Sequence, residues 1–215
     1  MANKSDRRGR ALSKVSIVEA AIAILDTEGE DALTFRALAA RLATGAGAIY
    51  WHVADKGDLL AAAVDAVIMV PASDAADPDE AIRLLLLGVF DAIEAHPWVG
   101  TQLAREPWQP AMGRVFEAIG AGLGAMGVAE ARQFDAASAL LNALLGTAAH
   151  QAAAARSLPA DADRATVLAR VVARWSGGDP AAYPFIQRMA GPLRDHDDRA
   201  QFLAGIDLIL AGLKI

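Results

Sequence analysis

Residues 34–56 read TFRALAARLATGAGAIYWHVADK, and this stretch decides how the rest of the chain is understood. Thr34 is placed to cap a helix running to about Leu42, because its hydroxyl can accept from a backbone N–H of the first turn. Phe35, Leu38, Ala39 and Leu42 recur at helical spacing and make one apolar stripe, while Arg36 and Arg41 point elsewhere. Ala43, Thr44 and Gly45 break the pattern as a turn. A short helix from about Ala46 to His52 follows, with Ile49 as its inward anchor and Tyr50, Trp51 and His52 clustered at its end. Two short helices joined by so tight a turn can lay the second in a DNA major groove while the first braces it.

Working outward, Ser13 is a suitable N-cap for a first helix from Lys14 to about Glu28, which Gly29 stops. Asp55 caps a fourth helix from Lys56 to about Val70, with Asp58 in the capping-box position. Residues 71–77 make a break rich in Ala, Ser and Asp, and Asp77-Pro78 starts a fifth helix that ends before His96-Pro97. A proline-punctuated region holds Trp98 and Trp108 between Pro97, Pro107 and Pro110. Helices are then expected at about 111–126, 129–156, 161–175 and 197–214, with a loop over 176–185 and a short helix near 186–190. The spacing predicts an all-α fold: an N-terminal three-helix helix-turn-helix domain with a basic arm over 1–56, and a larger helical domain over 57–215.

Composition agrees with this. Of 215 residues, 54% are hydrophobic and 21% charged, which describes a globular chain. There is no cysteine, so disulfides and thiolate chemistry are excluded. The N-terminus is polar and basic, unlike a signal peptide, and no apolar run reaches the roughly 18 residues of a membrane span. A cytoplasmic location and no membrane association are therefore expected. The net charge of −6 is unevenly spread. Residues 1–58 carry eight Lys/Arg and eight Asp/Glu, and residues 59–215 carry 12 and 18. Within the first fourteen residues, Lys4, Arg7, Arg8, Arg10 and Lys14 oppose only Asp6. Such an arm either solubilises the chain or tracks a polyanion.

The helix-turn-helix stretch offers a set of DNA-facing residues. Thr44 has a hydroxyl at the turn, and Tyr50 and His52 can hydrogen-bond phosphates. Lys56 can neutralise one, and Arg36 can reach a phosphate or a guanine edge. Gly45, Ala46, Gly47 and Ala48 leave the front of the third helix nearly bare, which permits close backbone approach. Trp51 serves either packing or the DNA face.

The region from Ile17 to Leu60 resembles the DNA-binding domain of the tetracycline-repressor (TetR) family of bacterial transcriptional regulators. The residues that carry the resemblance are AAIAILDTEGEDALTFRALAARL (20–42) and AIYWHVADKGDLL (48–60). The second follows a pattern of hydrophobic residue, Tyr, any residue, His, hydrophobic residue, then Lys and Leu. Ala95 to Trp98 is similar to a segment of members closer to the tetracycline repressor itself. The resemblance implies a homodimer that binds a double-stranded DNA operator, with a small-molecule effector in the C-terminal domain. It puts Arg36, Ala46, Gly47, Ala48, Tyr50, Trp51, His52 and Lys56 at DNA-contact positions. Two departures stand out. Ala43 replaces a common turn glycine, and Ala46-Gly47 replace longer polar side chains. Specificity is thus expected to rest more on Arg36, Thr44, the basic arm and DNA shape.

In the family, the last two long helices, here about 129–156 and 197–214, build a four-helix dimer interface. Gly146, Ala148, Gly205 and Gly212 would allow close helix approach, unless they serve only the monomer core. A largely apolar effector would be lined by Phe90, Trp98, Trp108, Met112, Phe116, Phe134, Trp175 and Tyr183, with Asn142, His150 and Gln151 to orient it. Each of these residues has an ordinary packing or surface role as its alternative. The four histidines stand far apart in sequence, at 52, 96, 150 and 196. No metal, cofactor or catalytic motif is legible, so the chain is expected not to be an enzyme. The competing reading is a helical small-molecule-binding or protein-interaction module that does not bind an operator.

Overall fold

The computed structural model describes residues 12–70, 77–157 and 163–214. The basic residues Lys4, Arg7, Arg8 and Arg10, and nearly all of the break expected at 71–77, lie outside them. The described residues form helices only. These are α1 (Lys14–Glu28), α2 (Phe35–Arg41), α3 (Ala46–Ile49), α4 (Lys56–Val67), α5 (Pro78–Ala95) and α6 (Pro97–Arg105). They continue as α7 (Pro110–Ala125), α8 (Glu130–Ser157), α9 (Arg164–Ser176), α10 (Pro184–Asp195) and α11 (Asp198–Leu213), with a 3-10 turn over Glu30–Ala32.

Local chemistry sets the starts. Ser13 and Ser16 form a reciprocal capping box at α1. Thr34, Asp55, Asp77 and Asp197 accept from first-turn N–H groups of α2, α4, α5 and α11. Gly29 ends α1 at φ 81°, a backbone angle that glycine adopts without a Cβ clash.

Three expectations are corrected. The proline-punctuated stretch after His96 is helical, because Pro97 sits at the first helical position, where a missing N–H costs nothing. The helix near 186–190 is longer, spanning Pro184–Asp195 around Pro192. The third helix is shorter. It stops at Ile49, and Tyr50 to His52 continue as a turn.

One continuous core joins the two ends of the chain. Ile17, Leu38, Ile49, Leu59 and Val64 are sealed in the N-terminal helices, and Leu86, Phe90, Val115, Leu140 and Leu144 in the C-terminal ones. Full burial of each such side chain is worth about 1.5–3 kcal/mol. The tightest passage is between α6 and α8. A Cβ on Gly100 would lie 2.6 Å from the Ala148 carbonyl oxygen and 3.3 Å from the Ala152 methyl. Helix α6 rests its backbone on α8 there, and this fixes where its other face meets α1.

Candidate nucleic-acid interface

The turn between α2 and α3 is built by backbone hydrogen bonds. The Ala43 N–H donates to the Ala40 carbonyl at 3.3 Å and the Thr44 N–H to the Ala39 carbonyl at 3.0 Å. This is the Schellman closure of a helix, with the left-handed position filled here by Ala43 at φ 51°. Among the described residues it is the one non-glycine at positive φ. A β-carbon at such a position costs about 1–2 kcal/mol, so the surrounding packing has to hold the turn. That packing is Leu38 and Ile49, both 0% exposed. Leu42, expected in the core, is half-buried against it.

With Ile49 sealed, the opposite face of α3 and its following turn is outward. Gly45, Ala46, Gly47, Tyr50 and Trp51 are exposed, and Thr44, Ala48 and His52 are half-buried. A Cβ on Gly45 or Gly47 would meet nothing within 4 Å, so neither glycine is needed for packing. The Tyr50 ring stacks on Phe35 of α2 at 4.3 Å between centroids and 6° between planes. Its rim remains in solvent, so the phenol is aimed outward from a fixed base. Arg36 is exposed on the same helix as Phe35. The expected residues of α2, of α3 and of the turns beside it are thus exposed or half-buried, with one qualification. Lys56 turns inward and donates from Nζ to the Glu30 carbonyl oxygen at 2.8 Å, tying α4 to the 3-10 turn before α2.

Behind this surface lies a polar seam to α6 that the sequence reading missed. Asp26, near the end of α1, accepts from the Trp98 indole Nε1 at 2.7 Å and pairs with His96 Nδ1 at 2.7 Å. Glu30 accepts from Gln102 Nε2 at 2.8 Å, and its two carboxylate oxygens both accept from Arg105 Nη1, at 2.8 and 2.7 Å. Asp26 and Glu30 are four apart, a visible spacing, but their partners lie some seventy residues away. A second tie joins Arg114 of α7 to the Asp65 carboxylate and to the Ile68 carbonyl of α4.

The residues proposed from sequence for an effector cavity are not gathered in one place. Phe90 is fully buried and stacks on Phe202, and Met112 is 1% exposed. Trp98 belongs to the seam. Trp108 is 81% exposed, and Phe134 is 71% exposed with its edge to Phe116. Asn142 is exposed. His150 and Gln151 line a groove of about 500 Å³ between α8, α9 and α11, with Leu168, Gln201 and Phe202. Trp175 lines a separate apolar groove of about 380 Å³ with Phe185 and Met189. The amide oxygens of Gln151 and of Gln109, the N-cap of α7, are buried without a hydrogen-bond partner. No described helix is long and apolar enough to cross a membrane, and the described residues contain no cluster suited to a metal.

Comparison with known proteins places this geometry. Residues 17–63 match the family described as "Bacterial regulatory proteins, tetR family". The fold is similar to that of SCO7222, a TetR transcriptional regulator from Streptomyces coelicolor. The TM-score is 0.83 and the identity 52%, over 94% of this chain and 97% of that one. It is also similar to Streptomyces coelicolor ActR in complex with actinorhodin, with TM-score 0.72, 25% identity, and coverage of 95% and 96%. An HTH-type transcriptional regulator of Saccharopolyspora erythraea is 31% identical over 149 residues, 67% of this chain. The match spans 63% of that relative's length, a little under two thirds. With a 52% identical likeness to SCO7222 over nearly the whole of both chains, and the family match over residues 17–63, this chain belongs to the TetR family of bacterial regulatory proteins.

Proposed function

We propose that the protein is a transcriptional regulator, a repressor, that binds a palindromic double-stranded DNA operator as a homodimer and is released by a small-molecule effector. The observation that carries the reading is the outward face of α3, where Gly45, Ala46, Gly47, Tyr50 and Trp51 are held exposed over the sealed Ile49. Arg36, Tyr50 and His52 supply phosphate contacts, and Thr44 and Ala48 border them. Lys56 acts first on the fold and offers its remaining ammonium protons to a phosphate. The chain divides its labour near residue 56, with DNA contact before it and effector binding and dimerisation after it. Two copies pair through α8 and α11, which sets the two α3 helices about 34–36 Å apart for successive major grooves.

The effector is a largely apolar small molecule. The groove under α9 supports it, since Phe202 and Leu168 give it apolar walls while His150, Gln151 and Gln201 give it polar ones. ActR, a structural neighbour, is described in complex with actinorhodin. Effector binding shifts the population of domain arrangements only if its affinity differs between them. Enrichment of a short inverted repeat from a random duplex pool by the full-length protein tests the reading. Recovery of such a repeat, bound less tightly as salt rises, is the expected result. Failure to enrich any duplex would overturn it.

A further inference from the structure

Trp51 stands 89% exposed in the turn that follows α3, the shortest of the described α-helices. Exposure of a whole indole to water is unfavourable, and no described element covers this one. Its position is not accidental to the recognition face. Helix α3 ends at Ile49, and Trp51 stands in the turn beyond it, after Tyr50. Ile49 is 0% exposed. The Tyr50 ring is held by its stack on Phe35. The space beside Gly47 is open, since a Cβ there would meet nothing within 4 Å.

The chemistry of this face is restricted. From Leu42 to Ala54 there is no Arg, Lys, Asn, Gln, Asp or Glu. These are the side chains that read purine and cytosine edges by paired hydrogen bonds. Thr44 and His52 are half-buried. The most exposed large apolar side chain there is the Trp51 ring, among the Tyr50 phenol and the exposed Gly45, Ala46 and Gly47. In the major groove the one apolar mark on a base pair is the C5 methyl of thymine.

We propose that Trp51 reads thymine C5 methyl groups, so that each operator half-site carries thymine at the base pairs facing Gly47 and Trp51. This rests on the DNA binding proposed above and names the base chemistry it selects. Gly47 gives clearance for the groove wall, and Trp51 is the specificity-determining side chain. Phosphate contacts from Arg36 and Tyr50 set the register without reading sequence.

The test uses the full-length protein and the inverted repeat it enriches. Each dT is replaced in turn by dU, which removes the methyl and nothing else. Loss of one buried methyl is expected to weaken binding roughly fourfold, and the symmetric pair about fifteenfold, at one or two positions per half-site. Replacement elsewhere leaves affinity unchanged. In W51A the penalty at those positions disappears while the salt slope is kept. W51F keeps an apolar ring and a reduced penalty, and it carries the test if W51A binds too weakly to measure. A flat dU scan in the wild-type protein overturns the proposal while leaving DNA binding intact. So does a penalty that survives undiminished in both variants. Failure to enrich any duplex counts against the underlying reading instead.

Discussion

Ala43 carries a left-handed backbone angle, φ 51°, that the α2–α3 turn requires and an alanine resists. Replacement by glycine removes the Cβ clash but adds freedom to the unfolded chain, and the two effects partly cancel. Ala43→Gly is expected to raise stability by about 0.5–1 kcal/mol in chemical denaturation, with operator affinity retained. A destabilised variant would show that the Ala43 methyl contributes packing. Lys56 is the other residue whose role the structure changes. Its hydrogen bond to the Glu30 carbonyl makes it a tie between α4 and the turn before α2. Lys56→Ala is therefore expected to cost about 0.5–1.5 kcal/mol of stability. A salt slope flattened by about one as well would place a phosphate on the same ammonium.

Among the helices, α6 carries the largest consequence per residue. One side approaches α8 through Gly100, and the other holds Asp26 and Glu30 through His96, Trp98, Gln102 and Arg105. Gly100→Ala drives a methyl into the Ala148 carbonyl and is expected to cost about 1–3 kcal/mol, read as a fall in melting temperature. An unchanged melting temperature would mean that α6 can slide. Trp98→Phe keeps an aromatic ring but deletes the donor to Asp26 and part of the buried indole, for an expected loss of about 1–3 kcal/mol.

These ties mark the boundary of what the sequence discloses. The capped starts of α1, α2, α4 and α5 were legible because a cap and its helix are neighbours in the chain. Helix α6 was hidden because Pro97 and Pro107 read as breakers, although the first stands where proline is welcome and the second lies beyond the end. The exposed face of α3 was legible as the complement of Ile49. Its stack on Phe35 was not, since fifteen residues separate the rings. The aromatic residues of the C-terminal half could not be sorted by sequence. Phe90 and Met112 fill the interior, while Trp108 and Phe134 stand outside, and composition alone treats core and surface aromatics alike.

At the scale of the whole molecule, the proposed pairing through α8 and α11 draws on an exposed row of α11. Leu208 is 77% exposed and lies on one row with Gly205 and Gly212, beside which a Cβ would meet nothing within 4 Å. This row offers a knob between two holes. Sedimentation at micromolar concentration is expected to give twice the 22.4 kDa chain mass. Leu208→Glu is expected to give the single mass and to lose operator binding. A dimer that persists in that variant would move the interface elsewhere. The outward face of α3 and the adjacent Arg36 are proposed to engage DNA. The measurement that tests it most directly is fluorescence anisotropy of the full-length protein on its enriched duplex across a range of salt concentrations. Log K is expected to fall linearly with log salt concentration, and Arg36→Ala to flatten the slope by about one. Binding indifferent both to salt and to Arg36→Ala would contradict it.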